Sequence, residues 1–223
     1  MSSIERLIEP LRHLPQLPQA IAILQSELEA ERQRRDRFYR DMTAEQKIEF
    51  IDGEVILHSP ARNRHLEVTG YVYKLLHTYG AIHELGQVKC KKCLCVFPRN
   101  DYEPDVVYFG PGKSASLTPD TMKFPVPDIA VEVLSQSTEA RDRGLKFEDF
   151  AASNVAEYWI IDADAQIVEQ YLLENGEYTL AMKSGSGTLK CRAIEGLAIP
   201  IEAMFDEQEN LQAIRKMLGE SRV

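Results

Sequence analysis

The chain has 223 residues, of which 44% are hydrophobic and 27% are charged. This composition fits one globular domain with a substantial core and excludes disorder as the main state. Lysine and arginine total 26 against 35 acidic residues, which gives a formal net charge of -9. The field of the whole molecule therefore opposes nucleic-acid binding, so that such a role requires a local basic surface or a bridging cation.

No apolar stretch approaches the roughly 20 residues that a membrane-spanning helix needs. Charges and prolines interrupt the N-terminal segment, which lacks the hydrophobic run of a signal peptide. Four cysteines are too few for a disulfide scaffold in a chain of this length. We therefore expect a cytoplasmic protein without membrane association.

The first predicted element is a helix that follows a proline-interrupted, irregular segment over residues 1–19. Ile21, Leu24 and Leu28 recur at helical spacing among many charged residues, which predicts one exposed helix. Its arginines could form a basic strip, but the interleaved acids favour a solvated face or a surface for a partner helix. We assign residues 1–44 to this N-terminal segment and helix.

The rest of the chain alternates between strand and helix patterns. Asp52-Gly53 and Asn175-Gly176 have the chemistry of tight β-hairpin turns, and a helix over 61–80 would end at Gly80 as its cap. The other predicted elements are strands at 81–88, 92–98, 103–109 and 128–134, a loop at 110–126, a polar helix at about 141–152, strands within 156–162, 166–182 and 189–199, and a helix at 203–218.

Strands mixed with hairpins and helices predict an α/β or α+β domain, with a mixed sheet flanked by helices. We place this domain at 45–206, with 207–223 as a C-terminal helix packed on it.

Three acidic residues recur among β-forming residues: Glu54 after the first hairpin turn, Asp105, and Glu132 inside the apolar run 129–134. A carboxylate in a buried strand requires a partner or a metal, and converging carboxylates repel one another unless a cation lies between them. Oxygen ligands favour Mg²⁺ or Mn²⁺ over zinc. Lys146, on the next helix, is a candidate cation beside an attacked phosphate. Solvated or salt-bridged acids are the alternative for each residue taken singly.

The stretches "EPDVVYF" and "PDIAVEVLSQSTEARDRGLKFEDFAASNVAEYWIID" resemble the Uma-type family of restriction endonucleases. The similarity runs over about residues 48–180, with a weaker ending at "GLAIPIEAMF". It implies a restriction-endonuclease-like core of the PD-(D/E)XK nuclease superfamily, with a mixed central sheet flanked by helices, added β-hairpins and an N-terminal helix.

The resemblance also implies roles for the three acids. Asp105 corresponds to the first-strand aspartate, Glu132 to the acid of the (D/E)XK element and Glu54 to an additional upstream acid. Asp105 and Glu132 would bind Mg²⁺ or Mn²⁺ together with the backbone carbonyl of Val133, and Glu54 would act directly or through water. The implied reaction is hydrolysis of a DNA phosphodiester bond.

The lysine of the (D/E)XK element would stand two residues after Glu132, where this chain has Leu134. The resemblance implies that a lysine on the following helix takes this role. In this chain that residue is Lys146, whose long side chain could place its ammonium group where the strand lysine would put it. There it would orient or help deprotonate the attacking water and offset charge on the phosphate. We expect Glu132 itself to be exposed at the active edge of the sheet.

Lys89, Lys91, Lys92 and Arg64 are weaker candidates for contacts with substrate phosphates. A solvated edge that discourages strand pairing is the alternative for the three lysines.

Cys90, Cys93 and Cys95 contain a CxxC pattern, but a zinc site normally needs four ligands, and the fourth cysteine is distant in sequence. Core or edge-strand packing is therefore favoured over a metal or redox site. His58 and His65 are expected at most around the site, outside its ligand set.

Three functions remain open. The first is a Mg²⁺-dependent DNA endonuclease, acting as a homodimer because two symmetric sites most easily cut both strands of a duplex. The second is a non-catalytic binding module of the same fold, which the acidic net charge and the displaced lysine favour. The third is a small-molecule phosphodiester hydrolase, which needs no long basic groove. The combination of Glu54, Asp105, Glu132 and Lys146 favours the first.

Overall fold

The computed structural model describes residues 3–43 and 45–219. Its helices are α1 (Ser3–Ile8), α2 (Leu17–Asp41), α3 (Asn63–Ile82), α4 (Pro111–Ser114), α5 (Glu139–Asp142), α6 (Leu145–Ala152) and α7 (Glu207–Met217), with 3-10 turns at Glu9–Leu11 and Ile201–Met204. Its strands are β1 (Ile48–Ile51), β2 (Glu54–Leu57), β3 (Gln87–Cys90), β4 (Leu94–Val96), β5 (Asp101–Tyr102), β6 (Val106–Phe109), β7 (Lys123–Phe124), β8 (Ile129–Val133), β9 (Glu157–Asp162), β10 (Ile167–Glu174), β11 (Glu177–Ser184), β12 (Thr188–Lys190) and β13 (Ala198–Pro200). Over these described ranges, no helix is long and apolar enough to cross a membrane.

The strands form two mixed sheets and one small two-stranded sheet. The larger sheet has the order β11-β10-β9-β8-β6-β3, in which β8 and β9 run parallel. The smaller sheet has the order β2-β1-β5-β4-β7, in which β4 and β7 run parallel. Helices cover these sheets, so the predicted class, a mixed-sheet α/β fold, is confirmed.

The central strand β8 is buried on both faces, which explains its almost continuously apolar sequence. Ile129, Val131 and Val133 join the core beneath α3 and α7. Ala130 joins the core shared with the smaller sheet and α6. Because strand residues alternate between faces, Glu132 points to the side of Ala130, toward the smaller sheet and α6.

Both predicted hairpin turns are present. Asp52 and Gly53 have φ values of 50° and 82°, and Asn175 and Gly176 have 54° and 85°. Two successive positive φ angles match the twist of the flanking strands and are tolerated best by asparagine, aspartate and glycine. Local chemistry therefore determines these two turns.

The predicted cap at Gly80 is wrong, because α3 continues to Ile82. The helix ends in a Schellman-type turn in which the Leu85 N–H donates to the Gly80 carbonyl over 2.9 Å. Glu84 takes the left-handed conformation, with φ 55°, so Gly80 lies inside the last turn. The predicted strand at 81–88 accordingly begins only at Gln87.

Two other predicted segments are more finely divided. The helix expected at about 141–152 is the pair α5 and α6, with a break at Gly144, whose φ and ψ are -114° and -101°. The expected loop at 110–126 contains α4 and β7.

The C-terminal half of α2 packs on the smaller sheet through polar side chains. Arg35 Nε donates to Asp101 Oδ2 over 2.8 Å, and the Tyr39 hydroxyl donates to Asp101 Oδ1 over 2.9 Å. Arg99 donates two hydrogen bonds, of 2.9 and 2.8 Å, to the Glu31 carboxylate. This half of the helix is therefore bound to its own chain instead of being wholly solvated.

The division of the chain at 44 and 206 stays a prediction. Residues 1, 2, 44 and 220–223 of the predicted N- and C-terminal segments lie outside the described residues.

Glu157, at the start of β9, fixes the segment between β12 and β13. It is fully buried. Its Oε1 accepts hydrogen bonds from Trp159 Nε1 and Gln170 Nε2 over 2.7 and 2.5 Å. Its Oε2 accepts from the backbone N–H groups of Arg192 and Ala193 over 2.9 and 3.0 Å. One carboxylate thus joins the larger sheet to a loop that has no other regular structure.

We expect Glu157→Ala to lower the free energy of unfolding by at least about 3 kcal/mol, because buried donors lose their acceptor. Urea denaturation measures this change. The control is Glu174→Ala, which removes an exposed 3.1 Å ion pair with Arg192 and should cost less than about 1 kcal/mol. Equal losses in the two variants would contradict the assignment.

Glu169 on β10 joins the turn after α5 to the sheet. Arg143 donates to both of its carboxylate oxygens, over 2.8 and 3.0 Å, and the Tyr171 hydroxyl donates over 2.6 Å. The hydrogen bonds from Arg143 outweigh burial and lower the pKa of Glu169 to about 2.

Because the folded pKa of Glu169 lies below its ordinary value, its stabilising contribution is complete above that value and is lost as the pH falls toward 2. We expect Glu169→Gln to be less stable than the wild type at pH 6. The difference in urea midpoint should shrink at pH 3. A difference that is constant with pH would show that the carboxylate charge contributes nothing.

Candidate active site

Asp105 and Glu132 lie side by side where β6 meets β8. Val106 pairs with Val131 in the antiparallel register, and one further step brings Asp105 opposite Glu132. Asp105 Oδ2 accepts a hydrogen bond from the Val133 N–H over 3.0 Å. Since the N–H and C=O of one strand residue point to the same edge, the Val133 carbonyl also lies on the Asp105 side. The two strands are therefore neighbours, which is the condition under which these carboxylates converge.

Glu132 is bound by the lysine of the following helix. Lys146 Nζ donates to Glu132 Oε1 over 2.8 Å, so the long stem does return the ammonium to the strand. Glu132 is only 4% exposed and Lys146 only 2%. The expectation that Glu132 is exposed at the sheet edge is therefore wrong, because α6 and the smaller sheet cover it.

Two further acids surround the same ammonium. Lys146 Nζ lies 2.9 Å from Glu49 Oε1 and 3.5 Å from Asp142 Oδ1. Glu49 is on β1 and Asp142 ends α5, and both are buried. Glu49 also accepts the Glu103 N–H over 2.9 Å.

The sequence carried a signal for each of these acids. Glu49 shares with Ile51 the inward side of a β-strand, and Asp142 precedes Lys146 by four residues on the helical segment.

Burial and ion pairing act against each other in this cluster. Burial opposes the charge of Lys146, but Glu132, Glu49 and Asp142 together hold its pKa well above the ordinary value. Burial, with Asp142 and Asp105 nearby, raises the pKa of Glu132 despite Lys146. Burial likewise raises the pKa of Asp142. Burial therefore opposes the ionisation of two of the acids that surround the Lys146 ammonium.

Asp105 is held ionised by other groups. Its Oδ1 lies 3.2 Å from Lys47 Nζ and 3.2 Å from His65 Nε2. Burial opposes ionisation of Asp105, but His65, Lys47 and the Val133 N–H keep its pKa well below the ordinary value. Lys47 had no distinguishing pattern in the sequence, since its contact depends on the approach of β1 to the end of β6.

Comparison with known proteins identifies the family. Residues 35–202 match the family described as "Uma2: Putative restriction endonuclease", which is more than half of the chain. The chain belongs to the Uma2 family. The resemblance found in the sequence is thereby confirmed.

A solved structure shows the same fold as this Uma2 chain. It is described as a "putative nuclease belonging to DUF820 from Anabaena variabilis ATCC 29413". The TM-score is 0.65 at 17% sequence identity, over 76% of this chain and 96% of that chain. No curated protein is significantly similar to the chain.

Glu54, predicted as the upstream acid, lies apart from the contacts of the Uma2 site described above. It pairs with Ile51 at the turn end of the β1–β2 hairpin and is exposed. Glu49, two residues before Ile51 on the same face of β1, contacts Lys146 instead. The hairpin therefore brings Glu49, and not Glu54, to the other acids.

The weaker basic candidates lie at two places beside Asp105. The Lys91 N–H donates to the Asp105 carbonyl over 3.3 Å, so the turn that contains Lys91 and Lys92 is adjacent to the site. Lys89 is on β3, an edge strand of the larger sheet. Arg64 precedes His65 in the first turn of α3 and pairs with an exposed aspartate.

The cysteines pack in the core, as favoured. Cys93 and Cys95 are 2% and 0% exposed and join the core between the two sheets. All four cysteines are free thiols.

The two histidines expected around the site both contact its acids. His58 Nε2 lies 2.9 Å from Glu49 Oε2, and His65 contacts Asp105 as described above.

The donor chemistry of the Uma2 site fits a hard divalent cation. Asp105, Glu132 and the Val133 carbonyl offer oxygen atoms only, and neither buried carboxylate oxygen of Asp142 has a hydrogen-bond partner within the described ranges. In those ranges no three acidic, histidine or cysteine side chains converge as ligands. The ammonium groups of Lys146 and Lys47 neutralise the carboxylates there. A bound cation would thus take over part of the charge balance from these lysines.

We expect Lys146→Met to lower the free energy of unfolding by about 3–5 kcal/mol, because buried carboxylates are left without their cation. Adding Glu132→Gln should restore part of the loss, since it removes one of those charges. Lys183→Met is the control: it removes an exposed ammonium from Glu169, which Arg143 still binds, and should cost less than about 1 kcal/mol. Urea denaturation without added metal measures all three. Further destabilisation by Glu132→Gln would contradict the charge argument.

Proposed function

We propose that the protein is a Mg²⁺-dependent, or Mn²⁺-dependent, endonuclease that hydrolyses phosphodiester bonds of DNA. The observation that carries this proposal is the pair of buried carboxylates, Asp105 and Glu132, on adjacent strands with Lys146 bound to one of them. Membership of the Uma2 family and the nuclease-like fold support hydrolysis of nucleic acid. The metal and the substrate are part of the proposal.

Asp105, Glu132 and the Val133 carbonyl would hold the metal. When bound, the cation supplies a Lewis acid that polarises the phosphoryl oxygen and lowers the pKa of a coordinated water. We assign the upstream acid to Glu49, and keep Glu54 as the alternative for a contact through water. The choice rests on burial and on the 2.9 Å contact between Glu49 and Lys146.

Lys146 would act on the attacking water and on the phosphate. Its ammonium is charged, is shielded from solvent and contacts Glu132, so it can donate a hydrogen bond to water next to the metal ligands. A fixed positive charge in a buried site stabilises developing negative charge on phosphorus oxygens more strongly than the same charge in water. Glu49 and Asp142 would keep the ammonium in place.

Contacts with the DNA backbone are proposed for the basic residues around Asp105. Lys91 and Lys92 approach from the β3–β4 turn, and Arg64 approaches from the first turn of α3. Lys89 is included more weakly, because it lies farther along β3. These local charges would offset the acidic field of the whole molecule.

Both strands of a duplex are cut most easily by two symmetric active sites, so we propose that the enzyme acts as a homodimer. We also propose a cytoplasmic location, which the four free thiols support.

One observation favours a second candidate, a non-catalytic binding module of the same fold. Lys146 and Lys47 already neutralise Glu132 and Asp105, as structural ion pairs would. A small-molecule phosphodiester hydrolase would use the same acids without the basic residues at the rim. Substrate choice separates it from a DNA endonuclease.

The test is cleavage of supercoiled plasmid and of single-stranded DNA with Mg²⁺ or Mn²⁺. We expect Glu132→Ala and Lys146→Ala to abolish metal-dependent nicking, and Glu49→Gln to reduce it about 10–100-fold. Glu54→Gln is the matched control on the same hairpin and should stay close to wild type. Binding of Mn²⁺ is measured separately by calorimetry.

Equal activity in every variant would identify a contaminating nuclease. Absence of nicking together with absence of Mn²⁺ binding would favour the non-catalytic module. Mn²⁺ binding with hydrolysis of a small phosphodiester, but not of DNA, would favour the small-molecule hydrolase. A loss confined to Glu54→Gln would return the upstream role to Glu54.

A further inference from the structure

The N-terminal half of α2 carries an apolar stripe that the described residues of its own chain leave exposed. Leu17, Ile21, Leu24 and Leu28 follow one another at intervals of four, three and four residues, the spacing of a coiled-coil seam. Ile21, Leu24 and Leu28 are 45%, 57% and 41% exposed. Among the described residues, none from 17 to 30 is buried.

The same seam continues into the domain. Its next positions are Glu31, Arg35 and Phe38, which contact Arg99, Asp101 and the core of the smaller sheet. One helix face therefore has two halves, and within residues 3–43 and 45–219 only the C-terminal half has a partner. The uncovered half, taken alone, is a short helical segment that gains little stability in water, and a second helix over the seam would stabilise it.

We propose that this seam binds the same seam of a second copy of the chain, with the two helices antiparallel. A two-fold axis near residues 22–23 places Ile21 against Leu24 of the second copy and Leu17 against Leu28 of the second copy. Every apolar position of the stripe then meets an apolar position. The stripe is self-complementary, as an isologous interface requires.

The direction of the pair follows from the position of the domain. In a parallel pair, the second helix would continue along the seam toward Glu31, Arg35 and Phe38, where the smaller sheet of the same chain already packs. In an antiparallel pair, Leu28 of the second copy lies against Leu17 of the first copy, and beyond that point the second helix runs away from the domain of the first copy. Only the antiparallel arrangement therefore uses the open half without displacing the occupied half.

The residues that flank the seam are compatible with this arrangement. With the axis near 22–23, Glu27 lies close to Ala20 of the second copy, and Gln25 lies close to Pro18 of the second copy. No two like charges meet along these flanks. Like charges there would have opposed pairing of identical helices.

The overlap from Leu17 to Leu28 spans about 18 Å of helix, which is short for a coiled coil. The antiparallel direction also carries the segment before Leu17 of the second copy toward the C-terminal half of α2. There a groove of about 400 Å³ is open beside Phe38, Met42 and Val55. The groove has a partly apolar lining, so exposed leucines of the arriving segment, such as Leu7, which is 75% exposed, would extend the interface there.

This inference deepens the proposed function, because it names the surface through which two active sites would be joined. The inference depends on the seam and not on the chemistry of the active site. The molecular mass in solution and the cleavage of DNA therefore test the two proposals separately. A monomer that cleaves DNA would overturn the inference alone. A dimer that neither cleaves DNA nor binds metal would overturn the proposed function alone.

The experiment is sedimentation equilibrium of the full chain over a concentration series, for wild type, Leu24→Glu and Ile23→Glu. We expect a wild-type dimer and at least about a hundredfold weaker association for Leu24→Glu, because a charge enters the seam of each helix. Ile23 is as exposed as Leu24, at 59% against 57%, but lies off the seam. Ile23→Glu should therefore associate like wild type. A monomeric wild type, or equal weakening by both variants, would overturn the proposal.

Cysteine cross-linking tests the direction of the helices. In an equimolar mixture of Ile21→Cys and Leu24→Cys chains, oxidation should give a disulfide between the two different chains. Each variant alone should give little more dimer than the wild type, whose own cysteines are the control. Efficient cross-linking of Leu24→Cys alone would indicate parallel helices and overturn the antiparallel arrangement.

Discussion

The structure depends on one buried ammonium group. Lys146 is 2% exposed and lies among Glu132, Glu49 and Asp142, which come from β8, β1 and α5. A lysine at this depth stays charged only because carboxylates surround it, and the carboxylates tolerate burial only because the lysine is there. The larger sheet, the smaller sheet and the helical segment 139–152 are thereby fixed to one another by charge as well as by apolar packing.

The segment that contains α5 and α6 makes contacts in two directions. Asp142 and Lys146 turn inward on either side of Gly144, whereas Arg143 turns outward and binds Glu169 on β10. Helical spacing accounts for this division, since residues four apart share a face and residue 143 lies about 100° away. The same few residues thus build the site and attach it to the sheet.

The parts of the fold that local chemistry determines were predictable from the sequence. The two hairpin turns need positive φ at Asp52-Gly53 and Asn175-Gly176, and the apolar run of β8 needs cover on both faces. The parts of the fold that depend on contacts between distant residues could not be predicted from the sequence. Glu49 and Glu54 belong to one hairpin, and only the docking of that hairpin on the larger sheet determines which acid is buried. Glycine is the residue type most typical of a helix C-terminus, which favoured Gly80, but the left-handed residue that ends α3 is Glu84, four residues later.

The buried acids bear on the choice between an enzyme and a structural module. The carboxylates of Glu49, Asp105, Glu132 and Asp142 contact Lys47 and Lys146, and Glu49 and Asp105 are also contacted by His58 and His65. A site kept only for stability would be expected to balance these charges or to replace them by apolar residues, since buried ion pairs add little net stability. Here burial raises the pKa values of both Glu132 and Asp142. A bound cation would oppose that shift, as the metal-dependent function that we propose requires.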